Sequence, residues 1–169
     1  MKCISLWQPW ATLIAIGAKR VETRSWPTNY RGPILIHASK KWDAELIGIR
    51  SDGRFDEPLR EAGLEELPLG CIVAVSSIVK IERTEAVRDR LSAQERAFGN
   101  YETGRWAWAL GRPVRITPIP FKGAQGIFDV PDNVLEMPPA VEEAAPRTFE
   151  PPKPKPEPTL FDGPSGRWA

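Results

Sequence analysis

Apolar positions along the chain fall into short runs with two periods, one helical and one of strands. The run Pro9-Trp-Ala-Thr-Leu-Ile-Ala-Ile16 is opened by proline and followed by Gly17. That pattern predicts a short helix with Pro in its first turn and Gly at its C-terminal stop. Arg20-Val-Glu-Thr-Arg24 alternates at period two. It predicts a half-buried strand with Arg20, Glu22 and Arg24 on one face and Val21 and Thr23 turned inward. Residues 34–38 and 70–81 are β-branched apolar runs expected to be core strands, the longer one bent or bulged at Ser76-Ser77. Residues 104–110 alternate large and small, which places Trp106 and Trp108 on one strand face and Arg105 on the other. The prolines within 114–120 confine that strand to an edge or an end, and residues 127–130 close the pattern.

Between these strands, helices are expected over 43–49 with Asp43 as cap, over 57–62 stopped by Gly63, and over 84–91. Ser92-Ala-Gln-Glu95 has the capping-box spacing that restarts a helix, and Gly99 ends it. Ser51-Asp-Gly-Arg54 reads as a turn, and Lys122-Gly-Ala-Gln-Gly126 as a hairpin turn whose backbone can approach a ligand or another strand closely. From residue 132 the pattern stops. Ten of the 18 prolines fall in 131–169, together with Pro-Pro-Lys-Pro-Lys-Pro-Glu-Pro158. Such a segment buries too little apolar surface to offset chain entropy and reads as a disordered tail over 132–169, behind one domain over 1–131.

Charge sharpens this division. The net charge of +1 conceals a tail with four basic and seven acidic residues and a body of +4. Within 1–42, seven cations (Lys2, Lys19, Arg20, Arg24, Arg31, Lys40, Lys41) stand against Glu22 alone, a field suited to phosphate or another anion. Cys3 and Cys71 are far apart and there is one histidine, so no metal-ligand spacing exists and no metal or cofactor is expected. Both cysteines lie in apolar runs as buried thiols. The first apolar run is broken by Trp7-Gln-Pro9 and ends in Lys19-Arg20, which fits neither a signal peptide nor a membrane span. The expected location is the cytoplasm.

The chemistry concentrates in Gly17-x-Lys19-x-x-Glu22-x-Arg24. With Lys19 at the helix-to-strand turn, able to swing over the face of Glu22 and Arg24, the segment predicts a cationic site holding one acid. Trp7 and Trp10, three apart, can share a face, one anchoring the helix and the other stacking on a base. His37, on an apolar strand, reads first as a hydrogen-bonded core residue and second as a ligand contact.

This motif, preceded by Ser5-Leu-Trp-Gln-Pro-Trp10 and followed by Trp26, Tyr30-Arg-Gly-Pro33, the strand ending in His37-Ala38 and Lys122-Gly-x-Gln-Gly126, resembles the ASCH domain family over residues 2–131. The resemblance implies an α+β fold built on a small PUA-like β-barrel with short peripheral helices, and an association with RNA. It places Trp7, Gln8, Lys19, Glu22 and Arg24 in a basic cleft that takes RNA or a nucleotide-like ligand, with Tyr30, Arg31 and His37 nearby.

An enzymatic alternative also follows from the resemblance. Some bacterial ASCH-like proteins are N4-acetylcytidine amidohydrolases that use a Lys, a Thr and a Glu, and others are ribonucleases. Here the threonine expected three residues after Lys19 is Glu22, so the pattern departs at the nucleophile. A hydrolase acting on RNA or a modified nucleoside would use Lys19 as general base, with Glu22, and Glu95 of the later helix is a candidate for its catalytic glutamate. A third reading gives the tail a protein partner around Leu160 and Phe161. The segment Glu157-Pro-Thr-Leu-Phe161 loosely resembles sliding-clamp peptides but lacks their leading glutamine.

Overall fold

The computed structural model describes residues 1–41, 48–49, 51–136 and the backbone of 147–148. The chain builds a mixed α+β fold on one curled sheet. In chain order the elements are β1 (Lys2–Leu6), α1 (Trp10–Ala15), β2 (Val21–Arg24), β3 (Gly32–Ala38), α2 (Gly53–Glu61), β4 (Pro68–Leu69) and β5 (Cys71–Arg83). They continue with α3 (Thr84–Val87), α4 (Ala93–Ala97), β6 (Trp106–Leu110), β7 (Val114–Pro120), β8 (Ile127–Asp129) and β9 (Arg147–Thr148), with 3-10 turns at Arg88–Arg90 and Asp132–Glu136.

The main sheet runs β2-β6-β5-β3-β1-β8, with β7 also on β5. Its end strands β2 and β8 do not pair, so the barrel implied by the resemblance is an open sheet that curls without closing. β1 lies parallel to β3, and the other pairings are antiparallel. The concave side holds the main core, where Ile4, Leu6, Ile34, Ile36, Ile78 and Trp108 pack on Ala11 and Ile14 of α1. Each fully buried aliphatic side chain contributes roughly 1.5–3 kcal/mol, so this cluster dominates the fold's stability. A second cluster on the other face joins Cys3, Leu35 and Ile72 to Val130 and Val134. Both cysteines are buried thiols, pushed up to about 12 by burial. A third cluster ties Leu13 of α1 to Phe55, Leu59 and Phe98.

Several expectations change in detail. The irregularities of β5 fall at Val73 and at Val79 rather than at Ser76-Ser77. One edge of β5 carries β7 over its first half and β6 over its second, and Ser76-Ser77 mark that exchange, where Gly111 N donates to the Ser77 carbonyl (2.8 Å). Ser51-Asp-Gly-Arg54 is not a free turn: the Asp52 carboxylate accepts from Arg54 N and caps α2, which therefore starts earlier than expected. Ser92 caps α4 through Glu95 N, but the Glu95 side chain does not return to the cap. Lys122–Gly126 is not a hairpin turn, because β7 pairs with β5 while β8 pairs with β1.

The packed structure continues past residue 131, since Val134 is fully buried, and β9 pairs with β4. The expected helix over 43–49, apart from 48–49, and most of the expected tail, with Leu160 and Phe161, lie outside the described residues. Among the described residues no helix is long and apolar enough to cross a membrane.

Candidate functional site

The motif strand β2 is fixed from both sides. Gly17 takes φ +81° and so turns the chain out of α1, and Lys19 N donates to the Leu13 carbonyl (3.0 Å). β2 then pairs with β6, setting Glu22 opposite Trp108. From α4, the Glu95 carboxylate accepts from the backbone N–H of Arg20 (2.9 Å) and of Val21 (3.1 Å). Glu95, 8% exposed, is thus occupied in pinning the start of the motif strand. Thr23 is turned inward as expected, and its hydroxyl accepts from Asn100 N.

Glu22 and Arg24 stand on one face. Arg24 Nε lies 3.1 Å from Glu22 Oε1, in an ion pair rather than an aligned hydrogen bond, because the buried Nε–H has no well-directed acceptor. Arg24 Nη2 donates to the Ser5 carbonyl (3.1 Å), which ties the guanidinium to β1. Lys19 is placed differently from the expectation. It does not swing over the face but runs beneath it, 1% exposed, and its amine donates to the carbonyls of Val21 and Phe98, with Glu22 Oε2 at 3.6 Å. Burial lowers its pKa, while the charges of Glu22 and Glu95 oppose that shift. Lys19 therefore reaches a ligand only through Glu22.

Two adjoining hollows open at this face, of about 740 and 750 Å³. Ser5, Trp7 and Arg24 wall both. One is the more apolar: Trp10, Phe55 and Phe98 line it, with Glu22, Thr23, Asn100 and Arg105 as polar groups beside Ser5 and Arg24. The other is basic, lined by Arg24, Lys40, Lys41 and Lys122 and bordered by Gly123–Gly126. Trp7 stands between them, 42% exposed, with Lys41 Nζ 5.3 Å from its ring centre. Trp10 packs edge-on to Phe55 (6.3 Å), so it both anchors α1 and walls the apolar hollow, while Trp7 is the more exposed of the two.

His37 lies at the floor of the basic hollow, in parallel register with Ser5. Its Nε2 is 3.0 Å from the Phe121 carbonyl and its Nδ1 3.0 Å from Ser5 Oγ. A carbonyl can only accept, so Nε2 carries the proton and Nδ1 accepts from the serine hydroxyl. Burial lowers the pKa of His37; the Phe121 carbonyl opposes this and the Lys40 charge adds to it.

Of the expected site residues, Trp7, Glu22, Arg24 and His37 meet at the cleft. Gln8 is fully buried, bonded to the Pro68 carbonyl and to Thr12 N, where it fixes the entry to α1. Tyr30 donates to the Pro33 carbonyl and Arg31 to those of Thr28 and Tyr30, and neither lines either of these two hollows. Lys40, Lys41, Lys122, Phe55, Phe98, Asn100 and Arg105 line the cleft but were not among the expected site residues. Only the basic end of the His37 strand and the glycines after Lys122 signal any of them in sequence.

The family model for the ASCH domain matches residues 4–152. Activating signal cointegrator 1 of Homo sapiens and of Mus musculus are each 54% identical over 82 residues, covering 46% of this chain and 14% of the relative. The match thus spans a small part of those proteins. Among solved structures, the ASCH protein of Zymomonas mobilis aligns with a TM-score of 0.51 at 18% identity, covering 80% of this chain and 90% of that one. A tyrosine-to-phenylalanine mutant of it gives 0.50 at 18%, with 80% and 93% covered. At that identity the likeness concerns the fold. Taken with the family match over most of its length, the chain belongs to the ASCH domain family.

Proposed function

We propose that this domain binds single-stranded RNA, or one nucleotide unit of it, in the cleft spanned by Trp7 and Arg24. The observation that carries this is the Glu22–Arg24 pair, held rigidly at the junction of an apolar hollow and a basic one. An unpaired base needs an aromatic surface and polar groups at its edge, and its backbone needs cations. Trp7 supplies a partly exposed ring, Glu22 an acceptor, and Arg24 a donor fixed by the Ser5 carbonyl. Membership of a family linked to RNA binding supports the same reading.

Fluorescence anisotropy of labelled single-stranded oligoribonucleotides at low salt tests it. Trp7→Ala should weaken binding by roughly 1–3 kcal/mol, the worth of one stacked base. Arg24→Ala should weaken it by about tenfold or more, as expected for a charged donor. If the unsubstituted chain leaves anisotropy unchanged for every oligoribonucleotide, the reading fails.

A hydrolytic reading has one observation in its favour, the burial that biases Lys19 toward its neutral form beside Glu22. In that version Glu22 contacts the substrate and Lys19 acts through it. Release of acetate from N4-acetylcytidine, or cleavage of RNA in the presence of chelator, and its loss in Glu22→Gln, would separate an enzyme from a binding module.

A further inference from the structure

The basic hollow differs from an ordinary charged surface in three ways. It gathers four cations, Arg24, Lys40, Lys41 and Lys122, and among the described residues no carboxylate lines it. Among the described residues, no carboxylate forms an ion pair with Lys40, Lys41 or Lys122, while Lys2, Lys19 and Lys80 each face one. Its walls are also shaped by glycine. A Cβ at Gly70 (φ +66°) would lie 2.4 Å from Lys40 Cγ, so the lysine stem rests flat on that backbone. A Cβ at Gly123 would lie 2.4 Å from His37 Cε1 and 2.7 Å from Ser5 Oγ, so the 122–126 loop sits directly on the Ser5–His37 pair. Arg24 is balanced by Glu22, but the three ammonium groups around the hollow repel each other until an anion enters.

We propose that the hollow of Arg24, Lys40, Lys41 and Lys122 is a phosphate subsite, and that the heterocycle attached to that phosphate occupies the neighbouring hollow beside Glu22. The ligand is then a nucleotide, with its base and its phosphate on opposite sides of Trp7, and a bare nucleoside fills half the site. This rests on the nucleotide-binding reading of the cleft and goes beyond it by naming which part of the ligand each hollow takes. Lys41 is held near the Trp7 ring, so the cation that meets the phosphate also borders the stacking surface.

Calorimetric titration of the full chain with inorganic phosphate, adenosine, cytidine, their 5′- and 3′-monophosphates and a short oligoribonucleotide tests the assignment. At least one monophosphate should bind about tenfold or more tightly than its nucleoside, the gain expected from charge-assisted contacts. The combined Lys40→Gln, Lys41→Gln and Lys122→Gln substitution should bring that monophosphate down to the affinity of the nucleoside and leave the nucleoside unchanged. All three lysines are exposed, so the variant should keep the melting temperature of the parent. Equal affinity for nucleoside and monophosphates in the parent chain overturns the proposal. So does a triple variant that weakens nucleoside and nucleotide alike, or phosphate binding that gains nothing from an attached nucleoside. If no nucleoside, nucleotide or oligoribonucleotide binds at all, the nucleotide reading of the cleft fails first and takes this assignment with it.

Discussion

Lys19 and Arg24 both neighbour Glu22, yet substitution should separate them. Lys19 is buried and satisfies two backbone carbonyls as well as the carboxylate. Lys19→Ala should cost about 3 kcal/mol in denaturant unfolding, the low end for breaking a buried pair, because Arg24 still faces Glu22. Arg24→Ala should leave stability nearly intact and weaken ligand binding by about tenfold or more. Reversed outcomes would mean that Lys19 is the exposed partner. His37 gives a second residue-scale prediction. Burial holds its pKa below the ordinary value of 6.5, so between those two values the unfolded chain binds more protons than the folded one. The stabilisation is therefore complete above about pH 6.5 and is lost as pH falls through the lowered value. Thermal melts of the parent should drop on acidification in that window, and His37→Gln should drop less. At this scale the sequence was informative for Glu22 and Arg24, because strand alternation alone puts i and i+2 on one side. It was misleading for Lys19, whose depth depends on carbonyls at Val21 and Phe98, the latter far along the chain.

The elements were legible where period and punctuation agree. Pro9 and Gly17 bracket α1, the Val-rich run is β5, and the alternating tryptophans are β6. They were less legible where one local signal serves two structures. Asp52-Gly53 suits a turn and a helix cap equally, and only the packing of Phe55 and Leu59 against Leu13 decides for α2. Lys122–Gly126 has the composition of a hairpin, yet the strands it joins pair with different partners. That loop carries the element-scale prediction. Gly123→Ala forces a methyl group into His37 and Ser5, and should cost about 1–3 kcal/mol, the usual penalty of overpacking. Because the displaced segment holds Lys122, nucleotide affinity should fall together with stability. A Gly123→Ala protein with unchanged melting and unchanged affinity would show that the loop is not seated on the dyad.

For the whole molecule, the cleft is a product of topology. Ser5, Arg24, His37, Lys40 and Lys122 come from four separate strands or their ends, brought together because β1 runs parallel to β3 and the sheet curls. No window of sequence holds that arrangement, which is why the family motif pointed to the place and left half of its lining unseen. If the basic hollow meets phosphates, the logarithm of RNA affinity should fall with the logarithm of salt, with a slope of roughly −0.7 per phosphate contacted. The lysine-substituted chain should show a shallower slope by about one such increment, since the hollow takes one phosphate. A salt-independent affinity would mean that the cations do not face the ligand.

Ser5 is bound through its carbonyl to Arg24 and through its hydroxyl to His37, and Trp7 beside it walls both hollows. A small molecule wedged into either hollow would thus crowd the other across a partition one residue thick. Fragments selected against the apolar side alone should compete with anions on the basic side, and linking one of each across Trp7 is the natural route to an inhibitor.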